Sequence, residues 1–552
     1  GTINAPGEYL FTSGLLTGTG RVNTPFLTTA LGNIAPGTLG TTGTLTIGGN
    51  LVMSSGSTYV VDLGAGGTSD RIAVVSTATP GTGMANIGGS VLLSPTAGTS
   101  IRAGDTYTIL TAQNGVTGSF SPTSSLSAIL RPQFIYSANA VQLRIAAGSY
   151  VDVATGSPVQ RAYAALLDRN RGNAPVSTLH DILDSQSAGM IQATLDSWAP
   201  RGEPLKSAIG TTALDNMSRF YRSRIAGMAI ANGLGGTIAT VGSPTEAISR
   251  LSYGTDLRRE ASLGGGQDSE MSNALPETMS AFFAGGYLVG KSKSMATAVP
   301  FGGDDNFDGY YLAAGIETEL GSNAGIGFGL SYTDIDGTTG GLTHGASGQL
   351  YQGTLYGKLQ SNLGLTLDTQ LSAALFSAKT ERTAVLGLST FDLQSKDDTL
   401  ALSAEVGVSK QFDVGTLQFG PRAAMRASRI EFTPTVERGG PMALAFDRGQ
   451  YDSLQGLLGF TLGGGMKFRP YASAYFVHDF EDKPAAFGAN FVSGVSLPAA
   501  FALAGQDKNW FEVSAGIGFG SETFQLSLGA DTTIGRSDVS NQSYRGSVTF
   551  RF

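Results

Sequence analysis

The carboxyl-terminal decapeptide alternates strictly between two kinds of side chain, and this alternation constrains the fold more than any other feature of the chain. Apolar or small residues occupy every second position, namely Tyr544, Gly546, Val548, Phe550 and Phe552. Polar residues fill the positions between them, namely Arg545, Ser547, Thr549 and Arg551. Successive side chains of a β-strand point to opposite faces. One face of this strand therefore suits lipid and the other suits a wet interior, as in a strand of a transmembrane β-barrel.

The same alternation recurs through the carboxyl half of the chain. In one example, Tyr351, Leu355 and Leu359 alternate with polar residues such as Gln352 and Lys358. The pattern predicts twelve strands, at residues 277–291, 306–321, 323–337, 346–362, 364–381, 395–412, 414–433, 448–464, 466–482, 507–520, 523–536 and 541–552. Twelve strands enclose a lumen wider than that of an eight-stranded barrel, which side chains alone can fill.

The connections between the predicted strands alternate in length. Those after the even-numbered strands are short, as at 321–325 and 361–364, whereas those after the odd-numbered strands are longer, as at 292–305, 382–394 and 483–506. Outer-membrane barrels have short periplasmic turns and longer external loops. An even strand number with this alternation predicts that both ends of the barrel chain lie in the periplasm.

Composition narrows the class of protein further. The 552 residues include 78 Gly, only 14% are charged, and no run of 18 apolar residues occurs. The sequence therefore contains no candidate membrane-spanning helix. Barrel strands are not detected by mean hydropathy, because their apolar and polar residues alternate and cancel in the average. A net charge of −8 gives no basic footprint for nucleic acid, and the absence of Cys removes disulfides and Cys-based zinc sites.

Residues 1–147 form a region of short alternating pieces rich in Gly, Thr, Ser and aliphatic residues. Clear examples are Thr44–Ile47, Thr58–Asp62, Tyr107–Leu110 and Val141–Ile145, separated by Gly, Pro and Asn turn signals. Their recurrence at intervals of 8 to 20 residues indicates stacked rungs. We predict a right-handed β-helix-like stem without an active site, because the region has little charge and no His.

Residues 148–276 change to a helical pattern. Ser157 followed by Pro158 is typical of a helix start. A helical face follows at Leu214, Met217, Tyr221, Ile225 and Met228, with Arg219, Arg222 and Arg224 mostly off that face. A second predicted helix runs from Ser243 to about Ala261. It carries the candidate plug residues Arg250, Arg258 and Arg259, which either pair with acids in the lumen or lie on a solvated linker.

Few other residues suggest chemistry. Asp304, Asn306 and Asp308 match the start of a calcium loop, but position 315, where the closing Glu belongs, is Gly, so a loop entering a strand is the alternative. His180 and His478 stand far from the third histidine and form no metal or triad motif. We predict no cofactor, no metal site and no enzymatic activity. Aromatic residues near strand ends are predicted to form interface girdles, namely Tyr310, Tyr332, Tyr471 and Phe480.

Several motifs resemble those of type Va autotransporters of Gram-negative bacteria. Asp308–Leu320 is similar to the second strand of that family's barrel, and Arg469–Phe480, Phe501–Gly505 and Tyr544–Phe552 are similar to its last four strands. Upstream, Gly43–Gly48 and Gly104–Leu110 resemble the β-helical segment that precedes the translocator, and Ala213–Phe220 resembles the linker that enters the pore. Residues 232–276 depart from the family as extra sequence. Some members of the family cleave themselves inside the barrel at an Asn-Asn dipeptide. This sequence has no such dipeptide, so the resemblance does not imply that cleavage here.

The resemblance implies an all-β membrane protein that exports and anchors its own amino-terminal passenger. Its parts would be a stem at 1–147, a helical linker and plug region at 148–276, and a twelve-stranded translocator barrel at 277–552, in the outer membrane with the stem at the cell surface. The implied partners are outer-membrane lipid and lipopolysaccharide, the barrel-assembly machinery, periplasmic chaperones and possible surface or envelope proteins. The assembly signal would be the terminal strand, at Tyr544, Gly546, Val548, Phe550 and Phe552. Because the chain starts at Gly1 without Met, we expect an export signal to have been removed.

Two alternatives stay open at this stage. A surface adhesin or structural scaffold would use the stem as its working part. An outer-membrane barrel hydrolase would need clustered acids or a Ser/His pair at the outer rim, and the sequence offers neither.

Overall fold

The structure, a computed structural model, describes residues 1–123, 125–228, 279–298, 303–340, 344–415, 417–464, 468–482, 484–520 and 524–551. The chain divides into two compact units, Gly1–Leu195 with Leu386–Ser389, and Asp196–Val385 with Thr390–Phe552. The boundaries predicted at 147/148 and 276/277 follow sequence character and stay predictions.

Short strands make up most of the first unit. They are β1 (Thr2–Asn4), β2 (Tyr9–Phe11), β3 (Leu15–Gly18), β4 (Arg21–Thr29), β5 (Asn33–Pro36), β6 (Thr44–Met53), β7 (Thr58–Leu63), β8 (Arg71–Val75), β9 (Ala85–Ile87), β10 (Ser90–Pro95), β11 (Thr106–Ala112), β12 (Val116–Gly118), β13 (Leu130–Tyr136) and β14 (Ala140–Ala147). One sheet has the order β1-β4-β6-β8-β11-β14-β13, and a second has the order β10-β7-β5-β3.

Neighbouring strands in these sheets pair in parallel, apart from the antiparallel pairs that β14 makes with β11 and β13. The parallel register stacks apolar residues on one another: Leu45 pairs with Ile72, and Ile72 pairs with Leu110. These three side chains belong to one buried apolar core. The predicted stacked rungs are therefore confirmed as parallel strands, whereas a right-handed β-helix stays a prediction.

Three helices follow the strands. They are α1 (Pro158–Arg169), α2 (Ser177–Leu183) and α3 (Ala188–Ser197). The predicted start of α1 is confirmed, because the Ser157 hydroxyl accepts a hydrogen bond from the Gln160 backbone N–H at 3.1 Å and Pro158 occupies the first turn.

A fourth helix, α4 (Gly202–Gly227), is the long helix of the second unit. It contains the predicted face from Leu214 to Ile225 and ends one residue before Met228. At 1.5 Å per residue it is roughly 39 Å long. Within the described residues, the structure has no helix that is both long and apolar enough to cross a bilayer.

Twelve long antiparallel strands of the described residues close into a barrel. They are β15 (Met279–Ser292), β16 (Asp305–Leu320), β17 (Ala324–Thr338), β18 (His344–Gln360), β19 (Leu365–Leu386), β20 (Ser389–Lys410), β22 (Leu417–Phe432), β25 (Gly449–Gly464), β26 (Phe468–Asp479), β29 (Asn509–Gly520), β30 (Phe524–Ile534) and β31 (Val539–Arg551), with β21 (Phe412–Val414) extending β20. The first strand pairs with the last, from Ser280 opposite Arg551 to Ser292 opposite Val539. The predicted twelve-stranded barrel is confirmed.

The strand alternation separates an outer apolar face from a polar lumen. In β19, Leu367, Leu371 and Leu375 are exposed on the outer face, whereas Asp368 and Gln370 are buried. An apolar outer band with a polar interior is the surface that a bilayer requires of a barrel.

The connections differ from the prediction in two places. The predicted loop 382–394 is instead the tip of a long hairpin, because β19 continues to Leu386 and β20 starts at Ser389. The residues of the long loops after β22 and β26 build a separate four-stranded antiparallel sheet, in the order β23 (Thr435–Val436), β24 (Leu444–Phe446), β27 (Ala486–Phe491) and β28 (Ala499–Ala502).

Candidate functional site

The candidate site is the barrel lumen, which α4 occupies. Side chains are buried along the whole length of α4 and on all its sides, including its polar ones. Two glycines of the barrel wall allow this close approach. A Cβ on Gly348 would lie 2.8 Å from Ile209, and one on Gly329 would lie 2.6 Å from the hydroxyl of Tyr221. The helix therefore packs directly against β17 and β18.

The direction of α4 follows from its end contacts. A Cβ on Gly202, at its start, would meet Gly345 and Thr380 within about 3 Å, and these residues lie at the long-loop end of the barrel. At its other end, Gly227 shares a small cavity with Gln525 near the short turns. Short turns are periplasmic in outer-membrane barrels. The helix therefore enters from the outer side and ends on the periplasmic side.

Apolar contacts hold both halves of the helix. In the outer half, Leu205 and Ile209 pack in a buried cluster with Phe376 and Ile430 of the wall. In the periplasmic half, four residues of the predicted face, namely Met217, Tyr221, Ile225 and Met228, are buried against aromatic wall residues. The members of this second cluster include Met217, Phe220, Tyr221 and Ile225 of α4 and Phe282, Tyr311 and Tyr356 of the barrel.

Arg222 is the centre of a buried ion-pair network. Its guanidinium donates two hydrogen bonds to Glu405 of β20, each at 2.8 Å, and one to Glu512 of β29 at 2.9 Å. Each carboxylate also pairs with an arginine of the barrel wall: Arg422 lies 2.8 Å from Glu405, and Arg426 lies 2.7 Å from Glu512. We call these five residues the central network. It joins the helix to strands on different sides of the barrel.

Arg224 forms a second ion pair, closer to the periplasmic end. It donates to both carboxylate oxygens of Glu317, at 3.1 and 2.8 Å, and to the hydroxyl of Thr549 at 2.9 Å. The Tyr356 hydroxyl also donates to Glu317, at 2.9 Å, and the Phe282 ring lies 4.4 Å from the guanidinium carbon. A bidentate Arg–carboxylate pair fixes orientation as well as charge.

The outer end of the helix is held by a lysine and by the segment that leads into it. Lys206 lies 2.7 Å from Glu203 and 3.4 Å from Asp397 of β20. Before the helix, the Trp198 indole donates a hydrogen bond to the Val385 carbonyl at 2.7 Å. The helix is therefore attached to the wall at its outer end, its middle and its periplasmic end.

The energetics of this arrangement favour a helix that is held in one register. Breaking a buried ion pair from one side costs about 3–5 kcal/mol, although an intact pair adds little stability beyond an apolar substitute. The polar contacts are therefore specific rather than merely adhesive.

The predicted site residues have different outcomes. On β31, Tyr544 is exposed and Gly546, Val548 and Phe550 are partly exposed on the outer face, as the alternation predicts. Their role as an assembly signal is a prediction that the geometry does not test. The remaining calls, Phe552 and the plug residues Arg250, Arg258 and Arg259, lie outside the described residues.

The prediction that Tyr471 belongs to an interface girdle is wrong. Tyr471 lies in the lumen, where its hydroxyl accepts a hydrogen bond from Arg545 at 3.2 Å, because its position in β26 is in phase with the inward residues. Tyr310 and Phe480 are exposed on the barrel, as a girdle requires.

Sequence reasoning missed the acidic partners of the α4 arginines. Glu405, Glu512 and Glu317 each occupy an inward position of a strand whose outward neighbours are apolar or small. An acidic residue on the polar, inward face of a strand is therefore the sequence signal that marks such partners.

Neither the histidines nor the stem provides a metal site within the described residues. Across the described ranges, no group of three or more His, Asp or Glu side chains comes together that could hold a metal ion. In the stem, the Asp70 carboxylate accepts hydrogen bonds from the backbone N–H groups of Gly43 and Asp62, at 2.7 and 3.0 Å. Burial nevertheless raises the pKa of Asp70 to about 6. Burial has the opposite effect on a base: it lowers the pKa of His180 in the helical region, because it disfavours the charged imidazolium.

Residues 285–532, from β15 to β30, match the family model of the autotransporter β-domain. The chain carries an autotransporter β-domain. The barrel is therefore an outer-membrane translocator for passenger secretion. Among curated proteins, none matches the chain in sequence.

Solved translocator structures are similar to this chain at low identity. The translocator domain of NalP from Neisseria meningitidis is 14% identical, with a TM-score of 0.40, covering 56% of this chain and 97% of its own. The transport unit of AIDA-I from Escherichia coli is 16% identical, with a TM-score of 0.34, covering 53% and 94%. The β-domain of the Bordetella autotransporter BrkA is 15% identical, with a TM-score of 0.35, covering 50% and 100%.

Proposed function

We propose that this autotransporter exports its own residues 1–147 to the cell surface and then keeps α4 in the lumen as a plug and anchor. The observation that carries the proposal is the course of α4, which runs from the outer to the periplasmic end while Arg222 and Arg224 pair with wall carboxylates. A segment held in this way is what a completed export event leaves behind.

The mechanism follows from the position of the first strand. β15 begins at the short-turn end, so the chain that precedes the barrel must cross the lumen for the stem to be outside. A helix satisfies its own backbone hydrogen bonds during such a passage. Stacking of the parallel stem strands outside buries apolar surface, and the free energy released opposes return of the chain.

Partners are part of the same proposal. The terminal strand supplies an open β edge until it pairs with β15, and an open edge is a template for a partner strand. We assign this edge to recognition by the barrel-assembly machinery, after escort by periplasmic chaperones, and the outer barrel face to lipid and lipopolysaccharide. We further assign a scaffold rather than an enzymatic role to residues 1–147, a region without His and with few charged residues.

Labelling of single cysteines in intact cells tests the proposal. The chain has no Cys, so one introduced thiol gives an unambiguous signal. Ser13→Cys, on an exposed stem residue, should react with a membrane-impermeant maleimide in intact cells. Asn362→Cys, in an exposed short turn, should react only after the outer membrane is permeabilised. Labelling of Asn362→Cys but not Ser13→Cys in intact cells would reverse the proposed orientation.

A further inference from the structure

The lumen contains a cavity below the central network, which we call the vestibule. Its volume is about 150 Å³, enough for roughly ten water molecules. Its walls include Ser223 and Ala226 of α4 and residues beside the short turns, such as Gln360, Thr366 and Gln411. The vestibule therefore lies at the periplasmic end of the lumen, where the barrel wall separates it from lipid.

The walls of the vestibule are strongly cationic. The charged lining residues are Arg219, Arg222, Lys358, Arg422, Arg545 and a single carboxylate, Asp368. Each of the three guanidinium nitrogens of Arg222 donates to Glu405 or Glu512, and Arg545 is paired with Asp531. The other three cations, Arg219, Lys358 and Arg422, have N–H groups without a hydrogen-bond partner among the described residues.

Lys358 is the clearest of the three. It stands directly opposite Asp368 in the register of β18 with β19, where an ion pair would be expected. Asp368 instead accepts two hydrogen bonds from Arg422, through both of its oxygens. In the part of the chain that the structure describes, Lys358 forms no ion pair and no side-chain hydrogen bond, although its side chain lines the vestibule.

Arg219 and Arg422 add further uncommitted donors. Arg219 donates through Nη2 to Asn541 at 2.6 Å, and its Nη1 stays 3.7 Å from Glu512. Its Nε and Nη1 atoms are buried without a hydrogen-bond partner among the described residues, and so is Nη1 of Arg422. Buried cationic donors without partners are costly, so a site of this kind favours an anion.

We propose that the vestibule binds one small tetrahedral oxyanion of the phosphate or sulfate type. The three cations come from three elements, namely α4 for Arg219, β18 for Lys358 and β22 for Arg422, so a ligand that joins them needs several acceptor oxygens in different directions. Guanidinium and ammonium groups form charge-assisted hydrogen bonds to such oxygens. Hydroxyl groups of Ser223, Thr366 and Ser409 line the same space and can donate as well.

Isothermal titration of the purified full chain with inorganic phosphate, in a zwitterionic detergent at constant ionic strength, tests the proposal. We expect one saturable site. Lys358→Gln should weaken it at least about tenfold, since a hydrogen bond to a charged group contributes about 1.5–3 kcal/mol. Lys410→Gln removes the same charge from an exposed residue at the same end of the barrel and should leave the affinity unchanged.

A second variant protects the test against a folding defect. Lys358→Arg keeps the positive charge and should bind phosphate within about threefold of the parent, and heat-modifiable migration shows whether each variant is folded. The absence of saturable binding to the parent, or equal weakening by Lys358→Gln and Lys410→Gln, would overturn the proposal. Because the measurement needs no export, its result is independent of the proposed secretion function.

Discussion

Arg222→Ala removes the side chain that joins α4 to both Glu405 and Glu512. Three hydrogen bonds of 2.8–2.9 Å are lost. Removing one partner of a buried ion pair costs about 3–5 kcal/mol. Here the cost is at the low end, about 3 kcal/mol, because Glu405 keeps Arg422 and Glu512 keeps Arg426. Since about 1.4 kcal/mol corresponds to a factor of ten, displacement of the helix from the lumen should become roughly 100-fold more frequent.

Single-channel recording in planar bilayers measures this displacement. The full chain should show rare openings to the level of an empty barrel, and Arg222→Ala should increase their frequency by about two orders of magnitude. Arg429→Ala is the matched control, because the Arg429–Asp452 pair is 50% and 36% exposed, and exposed pairs contribute at most about 1 kcal/mol. Equal opening frequencies for the two variants would refute the assignment of the central network as the lock of the plug.

Three further predictions follow from other parts of the molecule. Gly348→Val should destabilise the filled barrel by about 1–3 kcal/mol, because a Cβ there lies 2.7 Å from Phe376. Gly353→Val, where the nearest atom to a Cβ is 3.8 Å away, should leave the stability unchanged. The midpoint temperature of heat-modifiable migration measures both effects. Phe552→Asp should sharply reduce the amount of heat-modifiable barrel in the outer membrane, and an unchanged amount would contradict the assembly-signal role. Because the pKa of Asp70 is raised from 3.8 to about 6, the folded stem keeps a proton that the unfolded chain loses, so stem stability should fall by about 3 kcal/mol as the pH rises from about 4 to above 6. Hydrogen exchange of the Gly43 and Asp62 amides, corrected for intrinsic rates, measures this loss, which Asp70→Asn should abolish.

The barrel was predictable because its pattern is local. Each strand records its own inner and outer faces, so the segment predicted at 346–362 corresponds to His344–Gln360. The hairpin over 382–394 was not predictable in the same way. Its residues stay in strands partly because Arg382 is buried against Glu437, with two hydrogen bonds of 2.6 Å, and that partner comes from a distant loop.

The lumen network shows the same limit more strongly. The alternation indicates that Glu405 and Glu512 face inward, but it does not indicate which inward residue each one meets. Their partner Arg222 is 183 residues away from Glu405 and 290 away from Glu512 in sequence. Such pairs depend on the diameter of the barrel and on the depth and rotation of the helix, and no single segment of the sequence encodes these quantities.

The seam between β15 and β31 has a consequence for the timing of biogenesis. The hydrogen bonds of this seam, from Ser280 opposite Arg551 to Ser292 opposite Val539, form only after β31, which is synthesised after the other barrel strands. The barrel therefore cannot close before β31 is present, and a chain truncated before β31 leaves a sheet with two unpaired edges. Closure of this seam therefore distinguishes a barrel with all twelve strands from a truncated one, because only the former has no unpaired edge strand.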